Sequence, residues 1–407
     1  MQPTSPATSP TRRRLLAGGA ASAALALFGC GGGGGDSMAG VGSGGTGSFA
    51  SGPIHGFGSI IVGGVRYDES AARIATDAGA AASSADLRLG MVVEVNGGDI
   101  ATDPATGQRR AVASTIGVRS EIEGPISAID PAAGTLAVLG QQVRVTPATV
   151  FDDDLRGGLA SLRVGQMVEI YGLMNAAGQY TATRIDDEDD ARRYKLRGPV
   201  SGLDTAARTF RIGAAVISYA GLGTPPAGLA NGQYARVELH TVPDAAGVWA
   251  ATRLQATPTS AGSLPATGRV NAELEGYITA FTSSARFAVN GVDVDASGAT
   301  RLPAGLALGR RVEVEGVLEG GVLIAREVEL EDDDGESDGI EIEGRIASVA
   351  PAANTFVLRG VTVGYDAATR FEGGTPAQLA VGVKVEVKGR LSPDGATLLA
   401  SEVKFDD

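Results

Sequence analysis

The chain has 407 residues, 60 of them glycine and 18 proline, with 43% hydrophobic and 5% aromatic side chains and a formal net charge of −13. The length exceeds one small domain, the apolar content excludes a wholly disordered chain, and the glycine and proline content favours turn-rich β structure over helices. One cysteine and two histidines, His55 and His240, exclude a disulfide framework and a cysteine-based zinc site, and the acidity excludes bulk electrostatic binding of a phosphate backbone, so no nucleic-acid partner is expected.

The N-terminus reads as an address. Thr11-Arg12-Arg13-Arg14-Leu15-Leu16 opens a mild Ala/Gly/Leu stretch that ends at Phe28, short of the ~20 residues a membrane-spanning helix needs. It resembles a twin-arginine export signal with Arg12 and Arg13 as the pair, the alternative being an ordinary secretory signal. Leu27-Phe28-Gly29-Cys30 resembles a bacterial lipobox, which implies that Cys30 is lipidated and that the protein is a membrane-anchored lipoprotein. Cleavage there removes Arg12, Arg13 and Arg14 and no acid, leaving a still more acidic chain. Gly31, next to that cysteine, leans toward the outer membrane, facing the periplasm or the cell surface. Residues 1–29 are thus the signal and 30–51 a Gly-rich tether. The tether's Gly40-Val41-Gly42-Ser43-Gly44-Gly45 fits G-x-G-x-x-G, but with no strand before it and no helix after it the match belongs to linker composition.

From residue 52 onward the sequence repeats itself. A glycine followed by an apolar strand recurs at Gly52, Gly124, Gly198, Gly276 and Gly344, and an L-x-x-G-x-x-V-E-V element or a variant recurs at Gly90, Gly165, Gly232, Gly309 and Gly382. An A-x-x-[ILV] ending follows at Ala113, Ala182, Ala251, Ala325 and Ala400. This divides the chain into five modules, 52–120, 121–191, 192–259, 260–338 and 339–407. Each is long enough to bury its own small core, which predicts beads on a string.

Within the second module EIEGPISAI, TLAVLG and QQVRVT read as three strands, and after a longer connection QMVEIYG and QYTATRI read as two more. Ile126 and Ile129 are both apolar though three apart, which predicts a bulge in the first strand. Three strands, a connection and two strands is the order of a small OB-like barrel; a five-stranded open sandwich is the alternative. The predicted fold is therefore all-β, five tandem OB-like five-stranded β-barrels.

The E-G-x-[IV]-[ST]-[AG]-[ILF] opening, the A-T-[VR]-F element at Ala148–Phe151 and Ala368–Phe371, the L-x-[LV]-G-x-x-V-E-V element and the A-x-x-[IV] ending resemble the bacterial domain-of-unknown-function family 5666. The resemblance covers residues 52 to 407. It implies tandem domains in an exported, often lipidated protein; it implies no activity and no catalytic residue.

Candidate chemistry is sparse. Asp334, Glu336 and Asp338 resemble part of a calcium loop, but Arg345 stands where a bidentate Glu is needed, and solvated linker charge is the stronger reading. In the third module Tyr234, Arg236 and His240 share the outward parity of one strand, a candidate sugar- or peptide-binding stripe. Trp249 and Tyr180 align with leucines of sister modules and read as barrel core. No nucleophile elbow, phosphate loop or HExxH motif is present. The sequence thus predicts no enzyme and no cofactor, but an envelope binding or adaptor module for a carbohydrate or protein ligand. A structural surface spacer is the alternative, and a calcium-dependent adhesion module a weaker one.

Overall fold

In a computed structural model, the structure describes residues 47–406 apart from 156, 190–191, 225, 258, 260, 262–263, 266–267 and 332–338. Among the described residues the regular structure is β-strand, interrupted only by short 3-10 turns. The strands of the second module are Ile122–Asp130, Thr135–Val138, Gln141–Arg144, Met167–Met174 and Tyr180–Asp187. The first pairs antiparallel with the second, the second with the third, the third parallel with the fifth, the fifth antiparallel with the fourth, and the fourth returns to the first. That circuit is a closed five-stranded barrel with the 1-2-3-5-4 order of an OB fold. The same circuit closes at Tyr194–Thr257, Arg269–Glu331 and Ile340–Phe405. In the first barrel the opening strand is broken into Ser48–Pro53 and Gly56–Phe57, and the ring still closes. We number these barrels 1 to 5.

Each sequence landmark has a geometric cause. The glycine of L-x-x-G sits at φ between +76° and +88° in all five barrels, a region that costs other residues ~1–2 kcal/mol. Its N–H donates to the first-strand carbonyl of Ile54, Ile126, Val200, Ile278 or Ile346 at 2.7–2.9 Å, pinning the loop across the barrel end. The threonine of A-T-[VR]-F is buried, and Thr149 and Thr369 donate to the carbonyls of Ala182 and Ala400 at 2.7 and 2.8 Å, which ties this element to the A-x-x-[IV] strand. The register of the first strand shifts between Ile126 and Ala128, the bulge the sequence predicts, with equivalents in barrels 3, 4 and 5.

The modules are not beads on a string. Residues Gly40–Asp407 form one compact unit. The first strand of barrel 1 adds parallel to that of barrel 4, Ser48↔Asn271 through Ser51↔Leu274, and Gly56–Phe57 adds parallel to barrel 5 at Glu341–Ile342. Barrels 2 and 3 join through their first strands, Ile122↔Leu196 and Glu123↔Lys195. The chain therefore carries two continuous sheets, one through barrels 1, 4 and 5 and one through barrels 2 and 3. First-strand edges that would be exposed in isolated barrels are partly used up in this way.

Barrels 1 and 2 meet at Gly90, where an added Cβ would lie 2.3 Å from the Thr183 carbonyl oxygen, whereas Gly165, the equivalent glycine of barrel 2, faces open space. Both positions have positive φ. Gly165→Ala should therefore cost ~1–2 kcal/mol in urea unfolding, and Gly90→Ala clearly more, since a backbone carbonyl must also move. Equal losses would mean that barrels 1 and 2 do not pack at Gly90 in solution.

Candidate functional site

Tyr234, Arg236 and Glu238 do point out of barrel 3, away from Ala235, Val237 and Leu239 in its core, but they do not reach solvent. Tyr234 and Arg236 are only 6% and 5% exposed, because the outward face of this strand is covered by barrels 1 and 2. Tyr234 Oη donates to Glu121 Oε2 at 3.2 Å, and Arg236 donates to Asp77 and to Glu238, each at 3.0 Å. His240, the last residue of the expected stripe, is exposed and stands apart. The expected solvent-facing platform is thus corrected to an inter-barrel contact: strand parity was legible, the neighbour across it was not. Tyr171, Tyr180, Tyr219 and Tyr277 are likewise buried, and Trp249 is half-buried, edge-on to Tyr194 at 5.6 Å. Arg12, Arg13 and Cys30, and Asp334, Glu336 and Asp338, lie outside the described residues.

The contact belongs to a charged seam built from two outward positions of the first strand and one of the fourth. In barrels 2, 4 and 5 these are acids: Glu121, Glu123 and Glu169; Glu273, Glu275 and Glu313; Glu341, Glu343 and Glu386. Barrel 3 carries Lys195, Arg197 and Arg236 there, an inversion of charge at all three. Barrel 1 carries the neutral Phe49 and Ser51 with Glu94. Lys195 Nζ lies 3.0 Å from Glu169 and 3.8 Å from both Asp77 and Glu123. Burial alone would lower the ammonium, but Glu169, Asp77 and Glu123 overcome it and hold Lys195 above the ordinary lysine range, so it stays charged. Across the other junctions Arg109 of barrel 1 pairs with Glu273 and, at 3.1 Å, with Glu315; Arg66 pairs with Glu341; and His55 Nε2 lies 2.8 Å from Glu275 Oε2. Cationic side chains stand where a metal would have to sit, and among the described residues no group of three or more His, Cys, Asp or Glu is placed to hold one.

At the junction of barrels 1, 2, 4 and 5 lies a partly open cavity of about 460 Å³. Its walls are mostly apolar, with Ile54, Leu89, Val150, Leu173, Ile340 and Leu391 among them. Polar groups converge on it from different barrels: His55 from the first, Thr146, Thr181 and Thr183 from the second, Tyr277, Arg311 and Glu331 from the fourth and Arg390 from the fifth. Arg311 Nε donates to Glu275 Oε1 at 3.0 Å, and Glu275 also meets His55, so one buried carboxylate orients two of the polar side chains that line the cavity. Burial would raise Glu275, but Arg311 and His55 outweigh it and hold the carboxyl down to about 2. Tyr277 Oη donates to Thr181 Oγ1 at 2.8 Å, bridging barrels 4 and 2 across the wall. The sequence reading missed this site because its lining is scattered over four modules. One signal was available: His55 stands where the repeat carries the small residues Ser127, Ser201, Thr279 and Ala347.

Three seam carboxyls are raised, Glu386 by its hydrogen bond with Glu341 and by burial. Burial pushes Glu273 up to about 8 with Arg109 opposing, and burial pushes Glu123 up to about 7 with Lys195 opposing. For such groups the folded chain holds protons that the unfolded chain releases, so their contribution is full below about pH 4. It is lost as pH rises through about 7 and 8. Glu275 has the opposite sign, its contribution being present above about pH 4 and lost only as pH falls toward about 2. The melting temperature should therefore decline from pH 5 to pH 9, and Glu273→Gln should flatten the upper part of that decline. A wild-type melting temperature that stays level or climbs across this interval would contradict the assignment.

No curated protein matches the chain. Among solved structures it is similar to drosophila Unr CSD456, with 15% identity, 42% of this chain and 78% of that chain covered, and a TM-score of 0.15. The model of the family described as Domain of unknown function (DUF5666) matches residues 123–186, 275–329 and 343–404. Those segments are barrels 2, 4 and 5, the three that carry acids at all three seam positions. Three segments of the chain thus match DUF5666, and barrels of the same strand order with altered seam charge stand at the first and third places.

Proposed function

We propose that the chain is an exported, lipid-anchored envelope protein whose barrels form one non-enzymatic binding body, with the four-barrel cavity as its ligand seat. The cavity carries this reading. At about 460 Å³ it falls within the ~300–1,000 Å³ of small-molecule sites, and like them it is mainly apolar with a few convergent polar groups. The lining favours a compact, largely apolar molecule with one polar group over an extended polysaccharide. Charged groups buried beside the cavity and seam are held in ion pairs, Lys195 with Glu169 and Arg311 with Glu275, an arrangement that favours a fixed scaffold over acid–base turnover. A spacer needs barrels that act independently, and strands shared between barrels favour a single rigid body instead.

An anilinonaphthalene sulfonate fluorophore, an apolar probe with one anionic group, should bind the folded chain at one saturable site. Ala148→Trp, at the cavity wall, should weaken that binding at least ~10-fold, equivalent to about 1.4 kcal/mol, with the melting temperature unchanged. Saturable binding that Ala148→Trp leaves intact would place the probe elsewhere and remove the support for this seat. The anchoring half of the proposal rests on Leu27 to Cys30, and a fatty-acid label should enter the wild-type protein in bacteria and be lost in Cys30→Ala. Label retained in that variant would overturn it.

A further inference from the structure

The L-x-x-G loop of barrel 1 is a docking element. Thr183 Oγ1 of barrel 2 donates to the Gly90 carbonyl at 2.6 Å, and Arg184 donates to the Leu89 carbonyl at 3.3 Å. The Leu89 side chain is buried in one apolar cluster with Tyr171 and Leu173 of barrel 2. Thr183 can reach out because it is the bulged residue of its strand: pairing passes from Ala182↔Gly172 to Arg184↔Tyr171 and skips it.

Both halves of this contact recur without a partner barrel: the loop is exposed in barrels 2, 4 and 5, and the bulged threonine recurs in barrel 3. Leu162-Arg163-Val164-Gly165 of barrel 2 repeats Leu87-Arg88-Leu89-Gly90, with the same positive φ at its glycine and the same hydrogen bond back to the first strand. Here, however, Val164 is 65% exposed, and a Cβ on Gly165 would meet nothing within 4 Å. Ala251-Thr252-Arg253-Leu254 of barrel 3 repeats Ala182-Thr183-Arg184-Ile185, and the half-buried Thr252 occupies the same bulge, skipped between Leu239↔Ala251 and Glu238↔Arg253; its hydroxyl donates to the Glu238 carbonyl of its own barrel at 3.2 Å and must turn outward on docking. The Arg253 side chain is half exposed, and the exposed His240 and Val242 follow on the adjoining strand end. Within one chain these two halves do not meet, since Val164 remains at the surface while barrels 2 and 3 are already fixed by first-strand pairing.

We propose that the chain binds a second copy of itself head to tail, with Val164 and Gly165 of barrel 2 seated on Thr252 and Arg253 of barrel 3 in the next copy. The main-chain carbonyls of Val164 and Gly165 accept from Arg253 and Thr252, as those of Leu89 and Gly90 accept from Arg184 and Thr183. The two surfaces differ, so the interface is heterologous, and each copy keeps one free half with which to extend the assembly.

Sedimentation velocity of the full chain carrying Cys30→Ser, which removes the candidate lipid, tests this. The weight-average mass should rise with concentration beyond a dimer. Val164→Asp alone and Arg253→Ala alone should each weaken association at least ~10-fold, and Val381→Asp, the same kind of change in the barrel 5 loop, should leave it intact. Mixing the Val164→Asp and Arg253→Ala chains should yield a dimer that grows no further, because one intact loop then meets one intact strand and both remaining halves are disabled. Unchanged melting temperatures keep the comparison free of unfolding. A chain that is monomeric throughout, association that survives both variants or is lost in Val381→Asp, or a mixture that fails to form the terminating dimer, would each overturn the proposal.

Discussion

Carboxylates cannot be taken out of water in groups without cations beside them, and that constraint organises this molecule. Each barrel of the matched family type presents acids at its outward first- and fourth-strand positions, so two such barrels set edge to edge would bury like charges against each other. Among the described residues no pair of them is joined by strand addition. The first-strand junctions are 2 with 3, 4 with 1 and 5 with 1, and in every case an acidic barrel meets an atypical one. Barrel 3 answers with Lys195, Arg197 and Arg236 on its own strands; barrel 1 answers with neutral strand positions and with Arg109, Arg66 and His55 reaching in from its loops and later strands. Removing one partner of such a buried pair leaves an uncompensated charge, typically a loss of ~3–5 kcal/mol, so the seam fixes which barrel sits beside which more than it adds stability.

A body fixed in this way can do what a string of barrels cannot. The cavity has walls from four barrels and persists only if their relative placement is held to within about an ångström, a demand that flexible linkers do not meet. Glu275 connects the two levels. It is one of the repeated seam acids, and its two partners, Arg311 and His55, both line the cavity, so the interaction that joins barrels 1 and 4 also orients the polar groups of the site. Steric fit adds to this. Glycines approach the neighbouring barrel's backbone at Gly56 on Glu341, Gly90 on Thr183 and Gly158 on Asp394, each too close for a side chain.

The barrel itself was legible because its causes are local and recur from module to module. The positive-φ glycine, the threonine that ties the third-strand connection to the closing alanine and the bulge betrayed by Ile126 and Ile129 each leave a mark within a few residues. Arrangement is a different kind of information. Tyr234 and Arg236 were read as exposed because period-two alternation says only that a residue leaves its own core, not what it meets outside. Partner identity lies in comparisons across modules: Glu123 against Lys195 in adjacent copies is a contact, and either residue alone reads as ordinary surface charge. The cavity was less legible still, since Ile54, Thr181, Tyr277 and Ile340 have no sequence relation that would bring them together.

Departures from the repeat can therefore be sorted by what stands opposite them. Arg236 stands where the other barrels carry the Glu of V-E-V and reads as part of a binding stripe, yet it faces Asp77 of barrel 1 at 3.0 Å and shares its junction with Lys195 and Glu169, so the departure serves assembly. His55 departs from the small Ser, Thr and Ala of its sister positions and has a different setting: it is bound to Glu275 on one side and borders a cavity on the other. Compensating charge explains the first substitution completely. It explains the second only in part, because Arg311 already neutralises Glu275, and an imidazole at the cavity wall supplies hydrogen-bonding capacity that charge balance alone does not require.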